Sequence, residues 1–231
     1  MTGVVLKLLA VITMVIDHIG YTFMVYGSTE YIVLRCIGRM SMPLFCFLVA
    51  EGFANTKNVT KYLQRLVLLA VLSEIPFDLF GTGHVFNWKT QNVFFTHCLG
   101  LLGLMGYEYL SVHWRKWVAV VPVIACGVAA WLLNTDYGVF GVGFIFVFYV
   151  TQDDRLYRVL ITILWVAMYA VTQALSTNFI WGCITLCELL ALMPILMYNN
   201  IKGYTSKLQQ YSFYGFYPVH LLFLYLLVYV L

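Results

Sequence analysis

Apolar runs of about twenty residues, following one another along the whole chain, constrain the fold more than any other feature. A helix needs roughly 20 apolar residues to cross the hydrocarbon of a bilayer. Nine stretches meet or approach that length: 4–26, 33–53, 62–80, 92–110, 116–133, 137–151, 157–175, 178–198 and 210–231. In lipid each backbone N–H and C=O must find its partner within the protein, which leaves helices or closed barrels. Runs this long and this continuous select helices. Only 10% of the 231 residues are charged and 62% are hydrophobic, against about 25% charged in an average soluble domain. The expected fold is therefore all-α, a polytopic membrane helix bundle of about nine spans. No linker, repeat or low-complexity tract divides the chain, so residues 1–231 read as one domain. The sixth segment, Tyr137 to Thr151, is short and reads as a thin or re-entrant element.

The loops alternate in charge. Lys57, Lys61 and Arg65 follow the second span, Arg115 and Lys116 the fourth, Arg155 and Arg158 the sixth, Lys202 and Lys207 the eighth. The intervening turns hold few cations, chiefly Lys89. Basic loops stay on the cytoplasmic side, so the N-terminus is expected in the cytoplasm and the C-terminus outside. The net charge of +3 is accounted for by this pattern and does not mark a nucleic-acid surface. The first segment lacks a basic n-region and a small-residue cleavage site, and it reads as a span and not a cleaved signal.

Against this apolar background the intramembrane polar residues stand out. Asp17 and His18 are adjacent in the first span. Ionisable groups there cost about 2.5–3.5 kcal/mol each on insertion scales, so they are kept with a partner or a task. Arg35 and Arg39 enter the second span one turn apart and share a face. Glu74 and Asp78 flank Pro76 near the outer end of the third. Gln91 and Asn92 open the fourth, Asp136 and Tyr137 lie in the turn before the sixth, and His220 follows Pro218 in the ninth. Most of this polarity falls in one layer between mid-membrane and the outer face. Glu51, at the cytoplasmic end of the second span, is the exception. Two acids one turn apart repel unless a cation stands between them, so Arg39 is expected to pair with Glu74 or Asp78. A neutral imidazole accepts a proton from an attacking amine or hydroxyl, and an adjacent carboxylate orients it. Neighbours on a helix point about 100° apart, so Asp17 and His18 need not touch, and His220 is an alternative partner.

The six cysteines all lie in apolar runs. They form no CxxC and have no histidine at ligand spacing, so buried free thiols are expected and no metal. GxSxG, HExxH, the P-loop and GxGxxG are all absent. The Gly38–Arg39 step and Gly52 are candidate close-packing points between helices.

An ordered set of segments is more specific than any of these alone. It begins with Ile16-Asp17-His18-Ile19-Gly20, then Arg35-Cys36-Ile37-Gly38-Arg39 running into Pro43-Leu44-Phe45-Cys46-Phe47 and Glu51-Gly52-Phe53. It continues through Ser73-Glu74-Ile75-Pro76-Phe77-Asp78-Leu79, Gln91-Asn92-Val93-Phe94-Phe95-Thr96, Asp136-Tyr137-Gly138 and Phe216-Tyr217-Pro218-Val219-His220-Leu221. With these the chain resembles the TraX family of integral membrane proteins, named for the F-pilin acetylation protein. The resemblance is strongest over residues 8–100.

It implies an acetyltransferase of the bacterial cytoplasmic (inner) membrane, with acetyl-CoA as donor and a peptide N-terminus, pilin-like protein or glycan as acceptor at the outer side. The implied roles are His18 as general base, Asp17 or another acid as its orienter, and Arg39, Gln91 or Asn92 as oxyanion donors. Glu74 and Asp78 complete the catalytic set. Lys57, Lys61 and Arg65 would meet the phosphates of acetyl-CoA; Arg35, Glu51, Asp136, Tyr137 and His220 are further candidate binding residues. Two readings of other classes stand beside this one. A transporter or flippase would use the polar layer as a substrate or proton path, with broken helices as its sign. A membrane scaffold would need more outer loop than this chain has. The acceptor and the oligomeric state are not legible in the sequence.

Overall fold

The computed structural model describes residues 1–204 and 206–229. Twelve α-helices account for most of it. Among the described residues there is no strand, only an isolated parallel bridge between Gln91 and Thr135. Among the described residues, six helical stretches are long and apolar enough to cross a membrane: Gly3–Phe23, Thr29–Asn55, Val93–His113, Arg155–Ser176, Phe179–Leu196 and Ser212–Tyr229. With the shorter apolar helices they form a polytopic helical membrane protein, as the apolar runs require. At 1.5 Å per residue, the 21 residues of helix α1 (Gly3–Phe23) reach about 30 Å, the thickness of the hydrocarbon.

Several expected spans are interrupted. The second is two helices, α2 (Thr29–Gly38) and α3 (Ser41–Asn55), with a turn at Arg39–Met40. The third is one helix, α4 (Val59–Thr82), and the fourth is α5 (Val93–His113). The fifth divides into α6 (Lys116–Ala119) and α7 (Val121–Leu132), where Pro122 sits in the first turn of α7. The short sixth segment is α8 (Gly138–Val150), whose 13 residues span only about 20 Å. The seventh is α9 (Arg155–Ser176). The eighth runs as α10 (Phe179–Leu186), a 3₁₀ turn at Cys187–Ala191, and α11 (Leu192–Leu196). The last is α12 (Lys207–Tyr229). Val230 and Leu231 of the expected ninth span lie outside the described residues, as do the side chains of Lys116 and Lys207.

Short polar side chains start these helices, because the first N–H groups have no intrahelical partner. Ser28 accepts from the Tyr31 N–H, Asn58 from Lys61, Asp154 from Tyr157 and Asn178 from Trp181, at 2.8–3.1 Å. Gly83 ends α4 in the left-handed region (φ 72°), which glycine enters without a steric penalty.

The chain gathers into two compact units, each built from separated stretches. The first comprises Met1–Leu48 and Val147–Tyr204. Within it α1 packs closely on α2, because Gly20 faces Leu34 and Gly38 faces Asp17. Gly182 of α10 meets Ala170 and Ala174 of α9 in the same way. Such small residues let helix backbones approach in a membrane, where no hydrophobic force drives helices together. Phe47 makes edge contacts with Phe148 and Tyr198 at 5.7 and 5.5 Å. Arg158 lies over the Phe47 ring and donates to the Thr151 and Gln152 carbonyls that end α8.

The second unit comprises Val49–Phe146 and the C-terminal helix α12. Here Gly100 of α5 faces Ile145, while Gly103 and Gly106 face Val123 and Pro122 of α7. Val123, Ala130 and Val142 form a buried cluster with Leu99, Tyr107, Cys126 and Phe146 packed around it. Leu68, Val71, Leu72 and Ile75 form an exposed apolar stripe along α4.

Candidate functional site

In the first unit the polar residues of α1 and α2 converge on one carboxylate. Asp17 is buried, with 6% exposure. Its Oδ2 accepts from Arg35 Nη1 and, at 2.8 Å, from Arg39 Nη2. Arg35 Nη1 also donates to the Asp17 carbonyl at 3.2 Å. One helical turn separates the two arginines, which is why both guanidiniums reach the same acid. The close approach at Gly38 brings the helices near enough for it. The Trp181 ring of α10 completes the enclosure, with Arg35 and Arg39 centred 4.9 and 5.4 Å from its centroid. Stacking on an indole face stabilises a guanidinium, more so away from water. Tyr21 and Tyr31 flank Arg35 at 5.6 and 5.9 Å.

Where the sequence suggested Glu74 or Asp78 for Arg39, the structure shows Asp17 as an ion-pair partner of Arg39 within its own unit. The physical reason is chain proximity. Twenty-two residues and one short turn bring Arg39 back beside Asp17, and the acid there neutralises it within its own unit. Asp17 Oδ2 is correspondingly engaged by both arginines. His18 follows it on α1 and is half-buried.

Sequence reasoning missed Glu188. It is fully buried, at 0% exposure, within electrostatic reach of Arg39 and Asp17. It stands seven residues after Trp181, on the same side of its helical segment, where the α-helix gives way to the 3₁₀ turn. A signal was available: Glu188 is the one charged residue between Asn178 and Tyr198, and an acid inside a span is a functional candidate by default.

The second unit carries the other polar residues. Glu74 Oε2 accepts from both the backbone N–H (3.2 Å) and the side-chain amide of Asn92. Asn92 is completely buried; its amide also donates to the Ala70 carbonyl at 2.8 Å, and its oxygen caps α5 at the Phe94 N–H. Asp78 accepts from the Asn87 N–H at 2.8 Å. The two acids are therefore held apart, each by a donor from the loop that follows α4. Gln91 and Asp136 are joined through the backbone, Asp136 N–H to the Gln91 carbonyl at 2.9 Å. Thr96 donates to the Asp136 carbonyl. Tyr137 takes a positive φ of 61° at the tight entry to α8.

His220 of α12 bonds the Phe216 carbonyl at 3.0 Å, stacks on Phe216 and meets Tyr217 edge-on. Tyr217 in turn meets Phe94 at 5.1 Å, and Phe94 meets the buried His97. Glu51 is half-buried and accepts from the Asn55 amide at 2.8 Å. Lys57, Lys61 and Arg65 are exposed at the start of α4. Among the described residues, no group of three or more His, Cys, Asp or Glu side chains is placed to hold a metal ion.

Apolar helices of membrane length, with a carboxylate clamped by two arginines between them, define a multi-pass helical membrane protein with an ionic cluster inside one of its units. The family model described as TraX protein matches residues 2–228, and the chain belongs to that family. It is similar to a probable fimbrial assembly protein, FimC of serogroup H1, from Dichelobacter nodosus. The two are 32% identical over 229 residues, covering 94% of this chain and 91% of the relative. It is also similar to the uncharacterized protein RP591 of Rickettsia prowazekii (strain Madrid E), 29% identical over 152 residues, covering 65% of this chain and 56% of that one. No solved structure matches the chain.

Proposed function

We propose that this protein is an integral membrane acetyltransferase of the bacterial cytoplasmic membrane. It moves an acetyl group from cytosolic acetyl-CoA to an amine or hydroxyl presented at the outer side, and its relative named for fimbrial assembly supports a pilin-like peptide as acceptor. The observation that carries the reading is the Asp17–Arg35–Arg39 cluster, with His18 following Asp17 in the chain. Three charges are kept in an apolar unit at considerable desolvation cost, and the next residue of α1 is its one side chain able to exchange a proton near neutral pH.

In the reaction, His18 takes the proton from the acceptor nitrogen or oxygen as that atom attacks the thioester carbonyl. The carbonyl oxygen becomes an anion, and Arg39 donates to it. Collapse of the tetrahedral intermediate expels the thiolate of CoA, which takes up a proton, and leaves the acetylated acceptor. Fixed donors aimed at the developing charge are commonly the largest catalytic contribution. Asp17 serves by holding both guanidiniums in place. The exposed Lys57, Lys61 and Arg65 supply cations of the kind that the donor's phosphates require. Glu74, Asp78, Gln91, Asn92, Asp136, Tyr137 and His220 form the polar network of the second unit, and Glu51 stands nearby in sequence on α3.

The test is acetyl transfer from labelled acetyl-CoA to a peptide with a free N-terminus, by purified protein in lipid nanodiscs. His18→Ala should lower the rate by about 10²–10⁴-fold, the usual worth of a general base, while inserting and purifying as the parent does. Undiminished transfer in that variant would end the proposal.

The transporter reading has one observation in its favour. Arg39 and Glu188 both sit where a membrane helix is interrupted, as charged residues do in discontinuous transporter helices. Solute flux into proteoliposomes without acetyl transfer would select it.

A further inference from the structure

Helices α2 and α10 start at the same end of the first unit. Ser28 caps the one and Asn178 the other. The Asn178 amide donates to the hydroxyl of Tyr26, in the turn just before Ser28, at 2.6 Å. Further along, the Trp181 ring against Arg35 and Arg39 keeps the two segments side by side. Counted from the caps, Cys36 stands eight residues along α2 and Cys187 nine along the other segment. At 1.5 Å per residue both lie about 12–14 Å from that end. Equal depth on adjacent segments brings the thiols together, and Cys36 and Cys187 share a side-chain hydrogen bond. Both are half-buried and neither is in a disulfide.

Cys183 lies one turn before Cys187 and is exposed, but it cannot be the partner. Residues at i and i+4 on a helix have Cβ atoms about 5–6 Å apart, whereas a disulfide holds them at about 3.5–4.5 Å. Cys187 Sγ donates to the Cys183 carbonyl at 3.8 Å, the back-bond of a turn that is still helical. Of the other thiols, Cys46 is buried on α3, and Cys98 and Cys126 belong to the second unit. Cys36 is thus the one thiol that meets Cys187 from a different helix.

We propose that Cys36 and Cys187 are a redox-modifiable pair, which a lipid-soluble disulfide oxidises to an intramolecular disulfide that staples α2 to the segment carrying Trp181. One cysteine sulfur, as thiolate, attacks the reagent, forming a mixed disulfide and expelling one thiol. The second cysteine sulfur attacks that mixed disulfide, forming the Cys36–Cys187 bond and expelling the other thiol. Two electrons pass from the cysteines to the reagent, and their two protons end on its thiols. The sulfurs have only to close from contact to about 2.05 Å. The expected topology puts the starts of both segments on the outer side, where disulfides persist. Cys36 adjoins Arg35 in the chain, so the staple also fixes the arginine pair against the indole of Trp181.

The test uses full-length protein in nanodiscs, treated with 4,4′-dithiodipyridine, digested, and read by peptide mass before and after dithiothreitol. The parent should yield one linked pair of peptides containing Cys36 and Cys187, and reduction should separate them. Cys183→Ser should leave the link unchanged. Cys36→Ser should leave Cys187 carrying one thiopyridine group and no link. Linked protein should unfold roughly 5–15 °C above reduced protein, because joining residues about 150 positions apart restricts the unfolded chain. Cys36 and Cys187 recovered as separate adducts, unmodified, or joined to other cysteines would overturn the pairing, and the parent alone decides this. A link that forms without raising the unfolding temperature overturns the staple. None of these results bears on the acetyltransferase reading, which the transfer assay tests separately.

Discussion

Replacing Gly38 with alanine adds one methyl group and removes no chemistry, yet it should disable the cluster. An alanine Cβ built at this position lies 2.3 Å from the Cβ of Asp17 and 2.6 Å from its Cα. Carbon atoms pack at about 3.5 Å or more, so α1 and α2 must separate by about 1.2 Å. The obstructing atoms are fixed by the backbone, and a rotamer change cannot relieve them. The same displacement would lengthen the 2.8 Å contact of Arg39 with Asp17 to about 4.0 Å, outside hydrogen-bond range. Overpacking typically costs 1–3 kcal/mol and losing a partner from a buried ion pair 3–5, so a combined loss of roughly 2–5 kcal/mol is expected. For a chain of this size that lowers the unfolding temperature by roughly 5–15 °C. Gly81 is the control. A Cβ there meets nothing within 4 Å, and alanine favours helix over glycine by about 0.5–1 kcal/mol. Gly81→Ala should match or slightly exceed the parent. The assay is thermal unfolding in one detergent, followed by acetyl transfer. If the two variants unfold at the same temperature and transfer equally, the argument from helix approach is wrong.

Asp17→Asn leaves two buried guanidiniums without a counter-ion. It should cost about 3–5 kcal/mol and shift the protein from a monodisperse to an aggregated peak in size-exclusion chromatography. Asn92→Ala removes the cap of α5 and strands the Glu74 carboxylate. A loss of about 2–4 kcal/mol should appear as a lower unfolding temperature, and one unchanged from the parent would contradict the network described for the second unit. His18→Ala, set out above, tests the chemistry independently of these stability effects.

Composition and period alone settled the fold class. Sustained apolar runs can satisfy their backbones in lipid only as helices, so each expected segment could be recognised from local information. The polar residues at issue were equally visible, since an Asp, Arg or His inside such a run departs from its surroundings. The pairing of Arg35 with Arg39 followed from the helical repeat, and both do turn to one acid.

Which acid they meet was a different kind of question. Glu74 and Asp78 were plausible partners by type and depth, but Arg39 binds Asp17, and Glu74 binds Asn92. Type and depth are properties of single segments; pairing depends on which helices touch. That is fixed by contacts such as Gly38 on Asp17, between residues twenty-one positions apart. Glu188 shows the same limit from the other side: its lone charge was written in the chain, but only folding brings it to Arg39 and Asp17, residues about 150 and 170 positions earlier. The sequence by itself determined that this is a bundle of membrane helices with ionisable residues inside it. Only the tertiary structure decided how those residues divide into partners, because charge compensation in a low-dielectric interior acts over a few ångströms and takes no account of separation along the chain.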